Sequence, residues 1–249
     1  MKSVHFFAAA LLLFLSSCVE IKQIVEYGID VNKPLTQSEI IDGLKEALIV
    51  GTTNSSTMLS NTDGYYKDEL VKILLPPEAE IIVKNINKIP GGSQLLDDVL
   101  LKINRAAEDA AKDAKPIFVN SIKQMTIIDA FGILKGEDNA ATAYLRKTTY
   151  SPLFDLYNPK IKASLDKILV GNVSTLQSWN LLTGKWNEVA ASIIGQIAGF
   201  KAVDVKLDEY LTNKALDGLF LKIEIEEKNI RKDPLARVSA ILKRVFGNQ

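Results

Sequence analysis

Apolar positions along this chain follow two patterns. Residues 6–15 form an unbroken apolar run behind one positive charge at Lys2. That run is too short to span a bilayer, which takes ~20 such residues. From residue 36 onward the apolar residues recur at helical spacing, and strand-like alternation never survives more than a few positions. The first helix opens at Thr36-Gln37-Ser38-Glu39, a capping box with Thr36 as N-cap. Ile40, Ile41, Leu44, Ala47 and Leu48 supply its apolar face. Asn61-Thr62-Asp63-Gly64 predicts a turn, Tyr65-Tyr66 starts a short segment, and Pro76-Pro77 stops the chain and opens a helix through Ile81, Ile82 and Ile86. After Pro90-Gly91-Gly92 a long helix carries Val99, Ile103, Ala106, Ala107, Ala110 and Ala114 on one face, its alanines allowing close approach by a neighbour.

Proline and cap signals divide the remainder. Pro116 opens a helix with Ile117, Phe118, Ile122 and Met125 inward, and Thr126-Ile127-Ile128-Asp129 leads into another over residues 130–135. Asp138 or Asn139 caps residues 140–146, and Ser151-Pro152 and Asn158-Pro159 each predict a further start. Residues 173–200 carry Trp179 and Trp186 among glycines; these aromatics read as core anchors or as the lining of a ligand site. Asp204 caps a long helix through Leu207, Leu211, Leu219 and Ile223. Asp233-Pro234 caps a last one with Leu235, Val238, Leu242, Val245 and Phe246 on its face. Its cations Lys232, Arg237, Lys243 and Arg244 suit a solvated face or a membrane-surface helix. The expectation is an all-α multi-helix bundle, a single domain with short loops.

The N-terminus indicates an address. A charged start, a short apolar run and small residues are the parts of a secretory signal, and Leu15-Ser16-Ser17-Cys18 resembles the lipobox of bacterial lipoproteins. That resemblance implies that Cys18 is acylated and becomes the mature N-terminus, with two or three chains anchoring stably. The chain then divides into a signal peptide over residues 1–17, a lipidated N-terminus and tether over 18–34, and an all-α domain over 35–249. The tether reaches at most ~3.3–3.6 Å per residue, so the domain stays near the bilayer. Val19 follows Cys18; aspartate there resembles an inner-membrane retention signal of enteric-type bacteria. The expected location is therefore the cell envelope, on the outer membrane facing the periplasm.

Composition narrows the chemistry. The one histidine, His5, lies in the signal peptide, and Cys18 is the one cysteine, so no disulfide forms within the domain. Ser-His-Asp and Cys-His catalysis fall away, as do zinc sites on histidine or cysteine and Glu-x-x-His di-iron sites. A metal would have to be a hard cation on oxygen ligands, and the loop Gly136-Glu137-Asp138-Asn139 lacks the ligand pattern of a calcium loop. No cofactor is implied. Lys+Arg and Asp+Glu number 30 each, so losing Lys2 with the leader leaves a net charge of −1. Nucleic acid is not an expected partner of a domain without basic excess.

Several stretches resemble an uncharacterised bacterial family, the one catalogued as domain of unknown function 4197. They are residues 35–52 (LTQSEIIDGLKEALIVGT), 104–111 (NRAAEDAA), 116–149 (PIFVNSIKQMTIIDAFGILKGEDNAATAYLRKTT), 214–220 (KALDGLF), 226–232 with Pro234 (EEKNIRKDP), and Val245-Phe246-Gly247. The resemblance implies an envelope-located helical domain and brings no catalytic residues. Inside these stretches stand Asn104, Arg105, Glu108, Arg146, Lys214, Asp217, Glu226 and Glu227. They read either as a pocket for an anionic ligand or hard metal, or as a hydrogen-bonded ion-pair network between helices, and paired burial alone accounts for the pattern. Three roles follow: a lipid-anchored binding or scaffold module that meets an envelope protein, a carrier of a hydrophobic or acyl ligand inside the bundle, or a carboxylate- or lysine-based enzyme.

Overall fold

The computed structural model describes residues 33–247; the leader, Cys18 and nearly all of the tether lie outside them. Among the described residues there are nine α-helices and no strand. Four long helices make the core: α1 (Gln37–Leu59), α3 (Gly92–Gln124), α5 (Ala140–Asp166) and α8 (Leu207–Lys232). α1 packs on α3 and α8, and α5 closes the ring by packing on the same two. Ala106, Ala107, Ala110, Ala111 and Ala114 are all buried on α3, and this shaved face lets its neighbours come close. Larger side chains fill the centre, with Phe118 of α3 and Phe220 of α8 at 5.4 Å between ring centroids.

Shorter elements cover this ring. α2 (Glu80–Lys84) follows a 3-10 turn at Pro77–Ala79, where Pro77 sits in the first turn as its missing N–H favours. α4 (Ala130–Leu134) packs on α1 and α5, α6 (Thr175–Ala191) on α3, α7 (Ile193–Ile197) on α6, and α9 (Ala240–Phe246) on α1. The predicted box at Thr36 forms, with Glu39 N–H on the Thr36 hydroxyl and Glu39 reaching back to Thr36 N–H. Asp129 caps α4 through Gly132 N–H at 2.7 Å.

Several predicted boundaries differ. Pro116 lies inside α3, and Pro152 and Pro159 lie inside α5, instead of starting helices. All three prolines are exposed, while Ala114 and Phe118 in α3 and Leu145, Leu153, Tyr157 and Ile161 in α5 stay buried. The lost N–H bonds therefore fall on the solvent face, where the spare carbonyls are open to water, and burial of the other face carries each helix through. Asp204 does not cap α8; Lys206 holds the N-cap position without a side-chain bond. Asp233 caps a 3-10 turn at Pro234–Ala236, and Ser239 caps α9. Leu235 and Val238 consequently face solvent, while Leu242, Val245 and Phe246 are buried. Arg244 is buried too, its Nε 3.7 Å from Glu39, and Arg237 donates to the carbonyls of Ile230 and Arg231. Those two cations face the protein and not a membrane. Trp179 and Trp186 are both core residues.

Candidate functional site

Between α1 and the Pro77 turn lies the longest irregular connection among the described residues, residues 60–76, and three of the predicted polar residues, Asn104, Arg105 and Glu108, converge on it. The connection starts with Asp63 in the left-handed region, φ 71°. Gly64 follows where a Cβ would meet the Met58 carbonyl at 2.5 Å, so only glycine lets the turn press onto the end of α1. From Asp68 the chain makes another tight turn and then runs without helix to Pro76, so that residues 68–77 form a strap.

Polar side chains of α3 hold this strap and the turn that leads into it. One Glu108 oxygen accepts the N–H groups of Tyr65 and Tyr66, each at 3.1 Å, and the other takes Arg105 at 2.6 Å. Arg105 also donates to Asp63 at 2.7 Å, and Lys67 reaches the same carboxylate at 2.8 Å. The Lys67 bond and then the Arg105 bond hold the Asp63 carboxyl below its ordinary value of 3.8. Asn104 closes a paired amide bridge with Ile73, accepting its N–H at 2.9 Å and donating to its carbonyl at 2.8 Å. From α8, Lys222 pairs with Asp68, and the Tyr210 hydroxyl donates to the Leu74 carbonyl at 2.9 Å. Tyr65 is fully buried, its hydroxyl on the Ala215 carbonyl at 2.8 Å. Desolvation pushes the Tyr210 phenol up to about 12.

Pinned from both sides, the strap still presents Leu70 (67% exposed) and Leu74 (60% exposed) to solvent. A cleft flanks it on either side. One of about 370 Å³ lies toward α8, with Lys72, Leu74, Tyr210, Lys214, Asp217 and Leu221 in its walls. The other, about 380 Å³, lies toward α3 and is mostly apolar, lined by Leu74, Leu75, Pro77, Val83, Leu96 and Leu100 with Glu80 as its one charged wall residue. Arg146 pairs with Asp217 at the rim and stacks 5.1 Å from both the Tyr150 and Phe220 rings.

Asn104 thus touches the strap itself, Arg105 and Glu108 hold the turn that leads into it, Lys214 and Asp217 line the cleft beside it, and Arg146 is linked to that cleft only through Asp217. Glu227 stands elsewhere, buried at the N-terminus of α5, and Glu226 binds Asn54 at 2.6 Å. Sequence reasoning missed Asp68, Lys222, Tyr210 and Arg231. Arg231 follows Glu227 by one helical turn, a signal that could have been read. Asp68 and Lys222 are separated by 154 positions and leave no local trace. At the strap, Glu108 and Asn104 spend their acceptors on backbone N–H groups and on Arg105, which suits holding rather than proton transfer. Among the described residues no group of three or more His, Cys, Asp or Glu could hold a metal ion.

Four long helices around an alanine-rich seam, with a strap pinned across them, define an all-α bundle. The chain belongs to the family described as Protein of unknown function (DUF4197), which it matches over residues 34–247. That span takes in every stretch on which the resemblance was drawn. No curated protein and no solved structure matches the chain.

Proposed function

We propose that this protein is an envelope lipoprotein, anchored through Cys18 to the outer membrane facing the periplasm, whose helical domain binds another envelope protein across the strap of residues 68–77. The observation that carries the binding role is the pairing of rigidity with exposure. Three buried or half-buried side chains, Asn104, Lys222 and Tyr210, fix the strap, and Glu108 and Arg105 fix the turn before it, yet Leu70 and Leu74 stand in water beside two clefts. Preorganised apolar anchors beside open clefts are what a partner's side chains need, because ordering costs are then already met. The anchor rests on Leu15-Ser16-Ser17-Cys18. No helix among the described residues is long and apolar enough to cross a membrane. Both clefts border exposed leucines at the surface, which favours partner side chains over an acyl chain carried inside the bundle.

Two readouts on the full chain in its native envelope test this reading. Cys18→Ser should leave unprocessed precursor without acyl label, and normal processing of that variant would overturn the anchor. A photo-crosslinking residue at Leu74 should trap one discrete envelope protein, and a second substitution, Leu70→Asp, should abolish the adduct. An adduct that survives Leu70→Asp, or none at all, would overturn the binding role.

A further inference from the structure

A second surface departs from ordinary solvent-facing behaviour, away from the strap. Ile193, Ile194 and Ile197 of α7 are 78%, 75% and 83% exposed, three large aliphatic side chains on a five-residue helix. Residues 189–200 contain no charged side chain. Contiguous apolar exposure of this kind marks an interaction surface.

The display is built rather than loose. Ser192 caps α7 through Gly195 N–H at 3.0 Å, and Gly195 is seated so tightly that a Cβ would meet the Val189 carbonyl at 2.1 Å. Gly199 turns the chain in the left-handed region, φ 71°, and Phe200 N–H returns to the Gly195 carbonyl at 2.9 Å. The Phe200 ring then stacks 5.1 Å from buried Trp186, whose indole N–H donates to the Lys201 carbonyl. Several polar groups of the tip are satisfied within it. The N–H groups of Gln196, Ala198 and Gly199 have backbone partners, and the Gln196 amide folds back onto the Ala191 carbonyl at 2.8 Å. A tip that pairs much of its backbone internally and turns its isoleucines outward suits contact with hydrocarbon, where an unpaired polar group is costly. Cations stand toward its base: Lys201 is exposed next to Phe200, Lys88 lies 5.8 Å from the Phe200 ring, and Lys185 lies two helical turns before Ser192 on α6, with the carboxylates Glu188 and Asp204 in the same part of the chain.

We propose that α7 is a membrane-inserting tip, its three isoleucines entering the acyl region of a lipid surface while Lys88, Lys185 and Lys201 meet anionic headgroups. Apolar insertion and electrostatic attraction to anionic lipid reinforce each other. This contact is independent of acylation at Cys18, and it orients the domain once a tether holds it near a bilayer.

The test uses the full chain carrying Cys18→Ser, so that one new thiol is unique. An environment-sensitive fluorophore is placed at Ile194→Cys or, as the control, at Leu235→Cys, which is 89% exposed on another part of the domain. The chain is reconstituted into vesicles of phosphatidylethanolamine and phosphatidylglycerol with brominated acyl chains. The emission at 194 should shift to the blue and be quenched by the bromines, and the emission at 235 should stay that of water. Equal behaviour at the two positions would overturn the proposal. So would a blue shift at 194 that appears without lipid as the chain concentration rises, since that reports a second copy covering α7. Failure of the Cys18 anchor would leave this readout unchanged, so the two readings fail separately.

Discussion

Glu227 is 1% exposed, and its two oxygens take the N–H groups of Ala141 and Thr142 at the start of α5, at 3.0 and 2.7 Å, together with the Thr142 hydroxyl. Arg231, one turn further along α8, donates to Glu227 at 2.9 Å and reaches on to the carbonyls of Leu134 and Ile133 at the end of α4. A carboxylate thus meets the positive end of one helix and a guanidinium the negative end of another, which complements both dipoles. Asn139, read from the sequence as a possible cap for α5, makes no side-chain cap bond; the cap arrives instead from α8. Glu227→Ala removes the cap and leaves Arg231 buried without its partner. We expect a loss of about 3–5 kcal/mol in urea unfolding. A midpoint unchanged within error would mean that water enters and replaces the carboxylate.

At the scale of elements, close approach of helices depends on what is absent from their faces. Gly43 on α1 stands where a Cβ would lie 2.5 Å from a Val245 methyl of α9. Val245 is buried and branched at Cβ, so it has little room to turn away. Gly43→Ala should therefore cost about 1–3 kcal/mol through overpacking, despite the better helix propensity of alanine. Pairing it with Val245→Ala should recover stability relative to V245A alone, and a thermal-unfolding double-mutant cycle reads that coupling. Additive effects would mean that α9 simply shifts. The capping boxes at Thr36 and Asp129's cap were legible because their partners lie within one turn of chain. The box at Ser174, closed by Gln177, is equally local, but it hides in a glycine- and tryptophan-bearing stretch whose periodicity is poor. Prolines misled for the opposite reason. Ser151-Pro152 and Asn158-Pro159 are strong local signals for a helix start, overridden by a buried face that only the packed bundle supplies.

Across the whole molecule, burial of phenols and pairing of carboxylates set how stability answers to pH. Desolvation raises the Tyr65, Tyr157 and Tyr210 phenols above their ordinary value of 10, Tyr210 to about 12. The unfolded chain gives up these protons near 10 while the folded chain keeps them, so this contribution is complete below 10 and is lost as pH rises toward 12. Asp63, through Lys67 and Arg105, and Asp109 have carboxyls held below 3.8. For Asp109 burial pushes upward, and the bonds from Lys167, Lys112 and Ser164 outweigh it. Their contribution is present above 3.8 and lost as pH falls through the lower folded values. Urea midpoints measured from pH 3 to pH 11 should be flat in between and fall at both ends. A midpoint that holds from pH 9 to 11 would show that the phenols are hydrated in the folded chain.

What the chain determines by itself is what depends on near neighbours. Helical spacing marked the all-α class, Thr36 and Glu39 marked the first boundary, and the absence of histidine and cysteine from residues 19–249 excluded whole classes of chemistry. The polar residues Asn104, Arg105 and Glu108 were legible as a group because one helix carries them. Their object was not, since Ile73 and Tyr65 lie 31 and 43 positions away and nothing in local spacing encodes a contact across such a loop. Tertiary structure alone decided that prolines would be carried through, that Glu227 would cap a helix distant in sequence, and that Ile193, Ile194 and Ile197 would be left in water. Periodicity assigns an apolar residue to a face, but whether that face is covered depends on which elements remain to cover it.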